Sequence, residues 1–374
     1  MTGKERIKAA IEHRVSDVVP YDAYASPGHV MHLLGRQTHE IYTVKGILPK
    51  AMINANKLYH SDAIYARGDL YIGDEWEFIS ADRLFLKDKY SGKVTHALTF
   101  DDFAVVSTVD LDYTLMDYRR IPKIKNREDL TKLKITPKEK LLKLCYFDSI
   151  RTYVDQLGGD TFIFSGSAGP SMNSIAICRG LEQGLIDLYE DTYICQAIME
   201  WRAEQIEEEV LAFKQLGAEG IVTGDAYATC SLVPPEKYRK ILFPYQKRAV
   251  EFIKKQGLAC ILHVCGRTSA ILEDLAATGT DILEAVEARS TGGDNDLADA
   301  KRRVGHLTCL KGNIDAKNVI QQGPPQMIEQ ACFEAMEAAA AGGGFILSTE
   351  QVTPDTSFEN NYAMHQARLK YKVS

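Results

Sequence analysis

The run Leu258-Ala-Cys-Ile-Leu-His-Val-Cys-Gly266 reads as a β-strand and its exit. In an extended chain His263 and Cys265, two residues apart, point to the same face as Ala259 and Ile261. An imidazole and a thiolate side by side make half of a tetrahedral zinc site. The same pair also fits core packing, because His-x-Cys is a short pattern. Its position at a strand end, before the turn Gly266-Arg-Thr, puts ligation on an equal footing with packing. Further ligands must come from other strand ends. Glu350 follows Gly344-Phe-Ile-Leu-Ser-Thr, and Asp225 ends Gly220-Ile-Val-Thr-Gly-Asp. Glu284 and Glu287 lie near the end of Asp281-Ile-Leu-Glu-Ala-Val-Glu. Each carboxylate has an alternative reading as a helix cap or loop anchor. Cys309, inside Leu307-Thr-Cys-Leu-Lys, is expected to lie too deep in its strand to reach the end.

Eight apolar runs must hold these residues: Val18–Tyr24, Asp62–Arg67, Thr161–Ser165, Gly220–Asp225, Leu258–Val264, Asp281–Ala285, His306–Lys311 and Gly344–Thr349. From the third onward nearly every run is followed by a helical pattern. Leu181–Leu216 is long and amphipathic, Pro235–Lys255 opens on two prolines, and Thr268–Thr278 and Pro325–Ala341 follow the same scheme. Strand then helix, repeated, means a parallel sheet. Eight such units predict a (β/α)8 TIM barrel, whose active site forms at the C-terminal ends of the strands. No Gly-x-Gly-x-x-Gly follows an early strand, which counts against a dinucleotide-binding sheet. Residues 68–150 break the rhythm. Asp74-Glu-Trp-Glu-Phe-Ile-Ser and Phe103-Ala-Val-Val-Ser-Thr-Val, with Ser91-Gly92 between them, predict an antiparallel β insertion after the second strand. The chain is read as a single barrel domain over 1–374 with 68–150 as an inserted subdomain. A helix over the first thirteen residues is expected either to plug the barrel floor or to pack outside it.

The 374 residues carry 44 Lys plus Arg against 51 Asp plus Glu, a formal charge of −7. That balance argues against a nucleic-acid or anionic-membrane partner, which wants a basic face. No apolar run approaches ~18 residues, so no membrane span is expected. The opening Met-Thr-Gly-Lys-Glu-Arg is charged and lacks the apolar core of a secretion signal. A cytoplasmic location and reduced thiols are therefore expected. The even count of eight Cys carries no disulfide message, and a Cys that matters is a ligand rather than a staple.

His263-Val-Cys-Gly266, Lys311-Gly-Asn-Ile-Asp315, Ala168-Gly-Pro170 followed by Gly180-Leu-Glu-Gln, and Thr353-Pro-Asp-Thr-Ser-Phe-Glu-Asn360 resemble the uroporphyrinogen decarboxylase superfamily. Thr2-Gly-Lys-Glu-Arg-Ile and Val18-Val-Pro-Tyr fit its N-terminal pattern. The resemblance covers nearly the whole chain, least distinctly at 68–150, and implies a distorted (β/α)8 barrel. Two chemistries compete within it. The decarboxylases carry Arg-Gln-Ala-Gly-Arg-Tyr after the first strand, where this chain reads Tyr21-Asp-Ala-Tyr-Ala-Ser-Pro27 with no Arg. A substrate bearing many carboxylates needs cationic anchors there. The other branch, the corrinoid-dependent methyltransferases, shares the strand-end His-x-Cys that binds zinc.

On that resemblance the metal ligands are His263, Cys265 and Glu350. Glu350 stands where the coenzyme M enzymes have a further Cys in a Gly-Cys-Gly setting. Exchanging sulfur for oxygen leaves Zn2+ a stronger Lewis acid, suited to a substrate oxygen. The implied reaction is methyl transfer from a methoxylated, possibly aromatic, small molecule to the cob(I)alamin of a separate corrinoid protein. Asp225 is a candidate fourth ligand or proton handler, or else structural. Tyr24, Tyr227 and Asn313 are candidate substrate contacts, with Trp76 a further aromatic; Asn313 is placed in the turn after the seventh strand. His29 and His32 fit an exposed helix face, and Arg267 an anion contact or a cap. The alternatives are a thiol-directed coenzyme M-type methyltransferase, a uroporphyrinogen decarboxylase that binds no metal, and a non-catalytic metal- or corrinoid-binding protein.

Overall fold

The structure, a computed structural model, describes residues 1–71, 76–78, 83–88, 94–99, 124–166, 169–284 and 286–372, with the backbone alone for 76–78, 83–88, 94–99 and Cys145. Eight parallel strands form one sheet: β1 (Tyr21–Asp22), β2 (Ala63–Tyr65), β6 (Phe162–Gly166), β7 (Gly220–Asp225), β8 (Ala259–Val264), β9 (Ile282–Glu284), β10 (Cys309–Ile314) and β11 (Phe345–Thr349). They run in the order β1-β11-β10-β9-β8-β7-β6-β2. Three further strands, β3 (Trp76–Phe78), β4 (Arg83–Asp88) and β5 (Val94–Thr99), pair antiparallel in a separate sheet. Most of the expected inserted subdomain, including Phe103-Ala-Val-Val-Ser-Thr-Val, lies outside the described residues, as do Ala168 and the side chain of Trp76.

The sheet curls into a nearly closed barrel. Its seam is between β1 and β2, where one backbone hydrogen bond and two side chains replace a ladder. Asp62 N–H donates to Tyr21 O at 2.8 Å. Tyr21 N–H donates to Asp62 Oδ2 at 2.9 Å, and Ala23 N–H to Ser61 Oγ at 3.1 Å. β1 is only two residues long because Pro20 has no N–H to give and Tyr24, at φ +39°, leaves the extended region.

Period-two alternation divides the barrel interior into layers. Phe162, Phe164, Val222, Ile261, Ile282, Cys309 and Ile346 face inward near the N-terminal ends and form an apolar floor. Ile7 and Ala10 of the helix Gly3–Ile11 pack into the same cluster, so this helix plugs the floor. Alternate residues such as Ile163, Ile221, Leu262, Leu283, Leu310 and Leu347 belong to the larger core around the barrel. Burial on both faces is why these strands read as continuous apolar runs.

Besides the short β1, elements elsewhere differ from expectation. The strand expected at His306–Lys311 lies at Cys309–Ile314, because Leu307 and Thr308 still bond back to Val304 O in the turn that closes the preceding helix. Lys311 and Asn313 therefore stand inside the strand, and Asn313 is not in a turn. The amphipathic stretch Leu181–Leu216 is two helices, Leu181–Glu190 and Thr192–Gln215. They divide at Asp191, whose backbone leaves the helical region (φ −139°, ψ 66°) and whose carboxylate takes the Arg127 guanidinium at 2.8 and 3.0 Å.

Candidate active site at the barrel mouth

The alternation that builds the floor sets a polar layer one step above it. On β8, β9 and β10, in register, the next inward residues are His263, Glu284 and Lys311. Cys309 stays in the floor, as expected from its depth. The polar residues form a chain across the mouth. Cys265 Sγ lies 3.0 Å from His263 Nε2, and His263 Nδ1 lies 2.9 Å from Glu284 Oε2. Glu284 Oε1 pairs with the Lys311 ammonium, which also reaches Asp22 Oδ2 at 2.8 Å. Asp22 Oδ1 accepts from Ser61 Oγ at 3.3 Å and from Tyr24 N–H at 3.2 Å, which ends the chain at the β1/β2 seam. The Lys311 ammonium also sits over the Tyr24 ring, 4.3 Å from its centroid.

Burial opposes charge on Glu284, Lys311 and His263, and the partners overcome it. It would raise the Glu284 carboxyl, but Lys311 and His263 hold it down at about 2. It would lower Lys311, but Asp22 and Glu284 raise it above the ordinary lysine value. It would likewise lower His263, but Cys265 and Glu284 raise it well above the ordinary histidine value. With Glu284 ionised and able only to accept, the shared proton belongs on His263 Nδ1. Nε2 faces Cys265, and ligation of a metal ion there would displace the proton that this nitrogen otherwise carries. A carboxylate that orients a histidine from behind is the usual support of a metal-binding imidazole.

The donor set therefore suits zinc: one imidazole nitrogen and one thiol sulfur, adjacent, half-buried and held from the far side. Among the described residues no group of three or more His, Cys, Asp or Glu side chains is clustered as a metal cage. Glu350, also half-buried, belongs to a neighbouring carboxyl pair. Burial, followed by the hydrogen-bonded Glu287, pushes its carboxyl up to about 8. Glu287 in turn accepts the N–H of Gly266, the residue after Cys265. The expected trio is thus a joined pair with its third member one carboxylate away.

Asp225 is fully buried at the end of β7. Its oxygens accept N–H groups of Met172 (2.5 Å), Tyr227 (3.1 Å) and Asn173 (3.3 Å), with Gln246 Nε2 at 3.4 Å. Burial raises its carboxyl to about 6 against those N–H groups. Tyr227 is 38% exposed at the same strand end, and Asn313 is half-buried two residues beyond Lys311 on the inward face. His29 is buried rather than exposed, bonded to Tyr59 Oη at 2.7 Å and Thr353 O at 3.1 Å. Arg267 N–H donates to Thr229 Oγ1 at 2.9 Å, and its guanidinium reaches Asp294 at 3.7 Å.

Sequence reading had not assigned roles to Lys311 and Asp22. A lysine in the middle of a buried strand was the available signal, since such a residue requires a buried anion.

A family model described as uroporphyrinogen decarboxylase (URO-D) matches residues 104–371. A methylcobamide:CoM methyltransferase MtaA of Methanosarcina barkeri is 26% identical over 238 residues, covering 60% of this chain and 62% of its own. A uroporphyrinogen decarboxylase of Chlorobium phaeovibrioides is 26% identical over 253 residues, covering 63% and 67%. The chain spans about three fifths of the length of the methyltransferase relatives it matches first. Among solved structures, a methyltransferase from Methanosarcina mazei superposes with a TM-score of 0.74 at 20% identity over 99% of both chains, a likeness of fold. No described helix is long and apolar enough to cross a membrane. The chain belongs to the uroporphyrinogen decarboxylase family.

Proposed function

We propose that this chain is a corrinoid-dependent methyltransferase that binds zinc through His263 and Cys265, with Glu350 as a further ligand. The observation that carries this reading is the His263–Cys265 pair at the barrel mouth, with Nδ1 committed to Glu284 and Nε2 turned to sulfur. Zinc bound there would act as a Lewis acid toward a substrate oxygen. The chain's own residues hold and orient. Lys311 keeps Glu284 ionised, and Glu284 keeps the His263 tautomer. Tyr24, Asn313 and Tyr227 line the approach from three different strand ends. Asp225 acts as a positioning residue, because its oxygens are occupied by the backbone N–H groups that fix the start of the helix Met172–Arg179 and the loop after β7.

The substrate is a methoxylated small molecule and the acceptor a corrinoid carried by a partner protein. The methyl–oxygen bond breaks, the methyl group passes to cobalt(I), and the oxygen takes a proton to leave as an alcohol or phenol. The names of the methyltransferase relatives favour a second reading, transfer between a methylated corrinoid and a thiol. Decarboxylation is the weaker reading, since the segment 21–27 after the first strand lacks arginine.

Zinc analysis of the purified protein, His263→Ala and Glu350→Ala tests the site. Wild type should hold stoichiometric zinc, and His263→Ala should lose it. Full metal in both variants would refute the ligand assignment. Spectroscopic assay of free cob(I)alamin with methoxylated aromatics, and of methylcobalamin with coenzyme M, separates the two transfer readings. Turnover of uroporphyrinogen instead would overturn both.

A further inference from the structure

Arg67 stands two residues beyond β2, at the rim of the barrel mouth, and is only 9% exposed. Its backbone is pinned on three sides. Its carbonyl accepts from Tyr153 Oη at 2.8 Å. Neighbouring Ala66 donates to Phe164 O at 2.7 Å, and Ala66 O accepts from Ser165 Oγ at 3.3 Å. The guanidinium lies over the Tyr65 ring, 4.8 Å from its centroid. Tyr65 has room for this because residue 166 is glycine; a Cβ there would run into the phenol. The following residue is also glycine, and a Cβ at Gly68 would strike the Tyr146 ring. Packing on both sides therefore fixes the direction of the arginine.

Among the described residues, no carboxylate forms an ion pair with this guanidinium. The acids nearby are otherwise engaged. Asp22 serves Lys311, Ser61 and Tyr24 N–H. Asp69 accepts the N–H groups of Gly46 (2.8 Å) and Tyr71 (3.3 Å). Lys311, the other buried cation of the mouth, has two carboxylates. A guanidinium withdrawn from water onto one aromatic face is a poorly compensated charge unless an anion arrives. Arg67 lines a cavity together with Asp22, Tyr24, Ser61 and Tyr65. The Tyr24 phenol lies in the field of Arg67 and of Glu284 and Cys265 alike, so the arginine and Cys265 are both near the same side chain.

We propose that Arg67 is a specificity-determining residue that pairs with an oxyacid group, a carboxylate or a sulfonate, on the small-molecule substrate, in the cavity it lines together with Tyr24. The planar fork of arginine suits a bidentate contact with such an acid. This assignment rests on the methyl-transfer reading of the same mouth.

Calorimetric titration of the zinc-loaded protein with 3-methoxybenzoate, 3-methoxybenzenesulfonate and neutral 3-methoxybenzyl alcohol reads the subsite without turnover. At least one acid should bind about tenfold or more tightly than the alcohol, the scale of a hydrogen bond to a charged group. Which acid does so identifies the group. Arg67→Gln should collapse that ratio toward one, and the wild-type ratio stands as a test even if the variant folds poorly. Equal binding of all three probes, or an acid preference that survives in folded Arg67→Gln, overturns the proposal. Methyl transfer to cob(I)alamin is followed on the same samples. Arg67-dependent acid binding with no transfer from any probe would sink the methyltransferase reading alone, and transfer from the alcohol as fast as from the acids would sink the Arg67 assignment alone.

Discussion

The floor and the mouth of this barrel are built from the same strands, one residue pair apart, and follow opposite rules. The floor is a closed apolar cluster from Ile7 to Ile346 that any well-packed hydrophobic set of the same volume would replace. The mouth is a line of alternating charges in which each residue is tolerable only because of its neighbour. A floor residue contributes by its volume and a mouth residue by its partner. Substitutions should therefore separate stability from ligand chemistry in one layer and couple them in the other.

The largest effects should come from one substitution in each layer. Phe164→Ala opens a cavity in the floor and should lower stability by about 3–5 kcal/mol in urea denaturation. Lys311→Met leaves Asp22 and Glu284 buried without their cation, and should lower stability by a similar 3–5 kcal/mol or so. The two should part company in zinc uptake per folded molecule: unchanged in Phe164→Ala, diminished in Lys311→Met. If both variants lose zinc equally, the two layers are not independent and the contrast is wrong.

A smaller effect confined to the mouth is expected from Glu284→Gln. The amide keeps the shape but cannot hold the His263 Nδ1 proton as a carboxylate does. Zinc affinity, measured by competition with a chelator, should fall roughly 10–100-fold. An unchanged affinity would mean that Glu284 is merely the counterion of Lys311.

The same contrast explains what the sequence disclosed. The barrel was legible because strands buried on both faces are continuous apolar runs, and His263 and Cys265 were legible because a period of two at a strand end needs no tertiary knowledge. Lys311 and Arg67 were read only as the last residues of their strands, His306–Lys311 and Asp62–Arg67. Their meaning depends on partners from other strands: Asp22 on β1 for Lys311, and the room that Gly166 leaves for Tyr65 on β2 for Arg67. The shortness of β1 was hidden for a related reason. A tyrosine at positive φ is a tertiary outcome, while its residue type favours a strand. The break at Asp191 was invisible because apolar spacing continues across it.

The smallest effect tests the floor from its far end. The plug helix Gly3–Ile11 begins on a capping box. Glu5 N–H donates to Thr2 Oγ1 at 3.2 Å, and Thr2 N–H donates to Glu5 Oε2 at 2.8 Å. Thr2→Ala removes one of the two bonds and should lower stability by about 1 kcal/mol. The helix meets the barrel through Ile7 and Ala10 in the floor and through Arg6, whose guanidinium donates to Asp62 Oδ1 at 3.1 Å, while Thr2 touches no described residue of the mouth. Zinc affinity and acid binding should therefore stay at wild-type values while the urea midpoint moves. A change in either ligand measurement would show that the floor transmits to the mouth, and the two layers would then have to be treated as one cooperative unit.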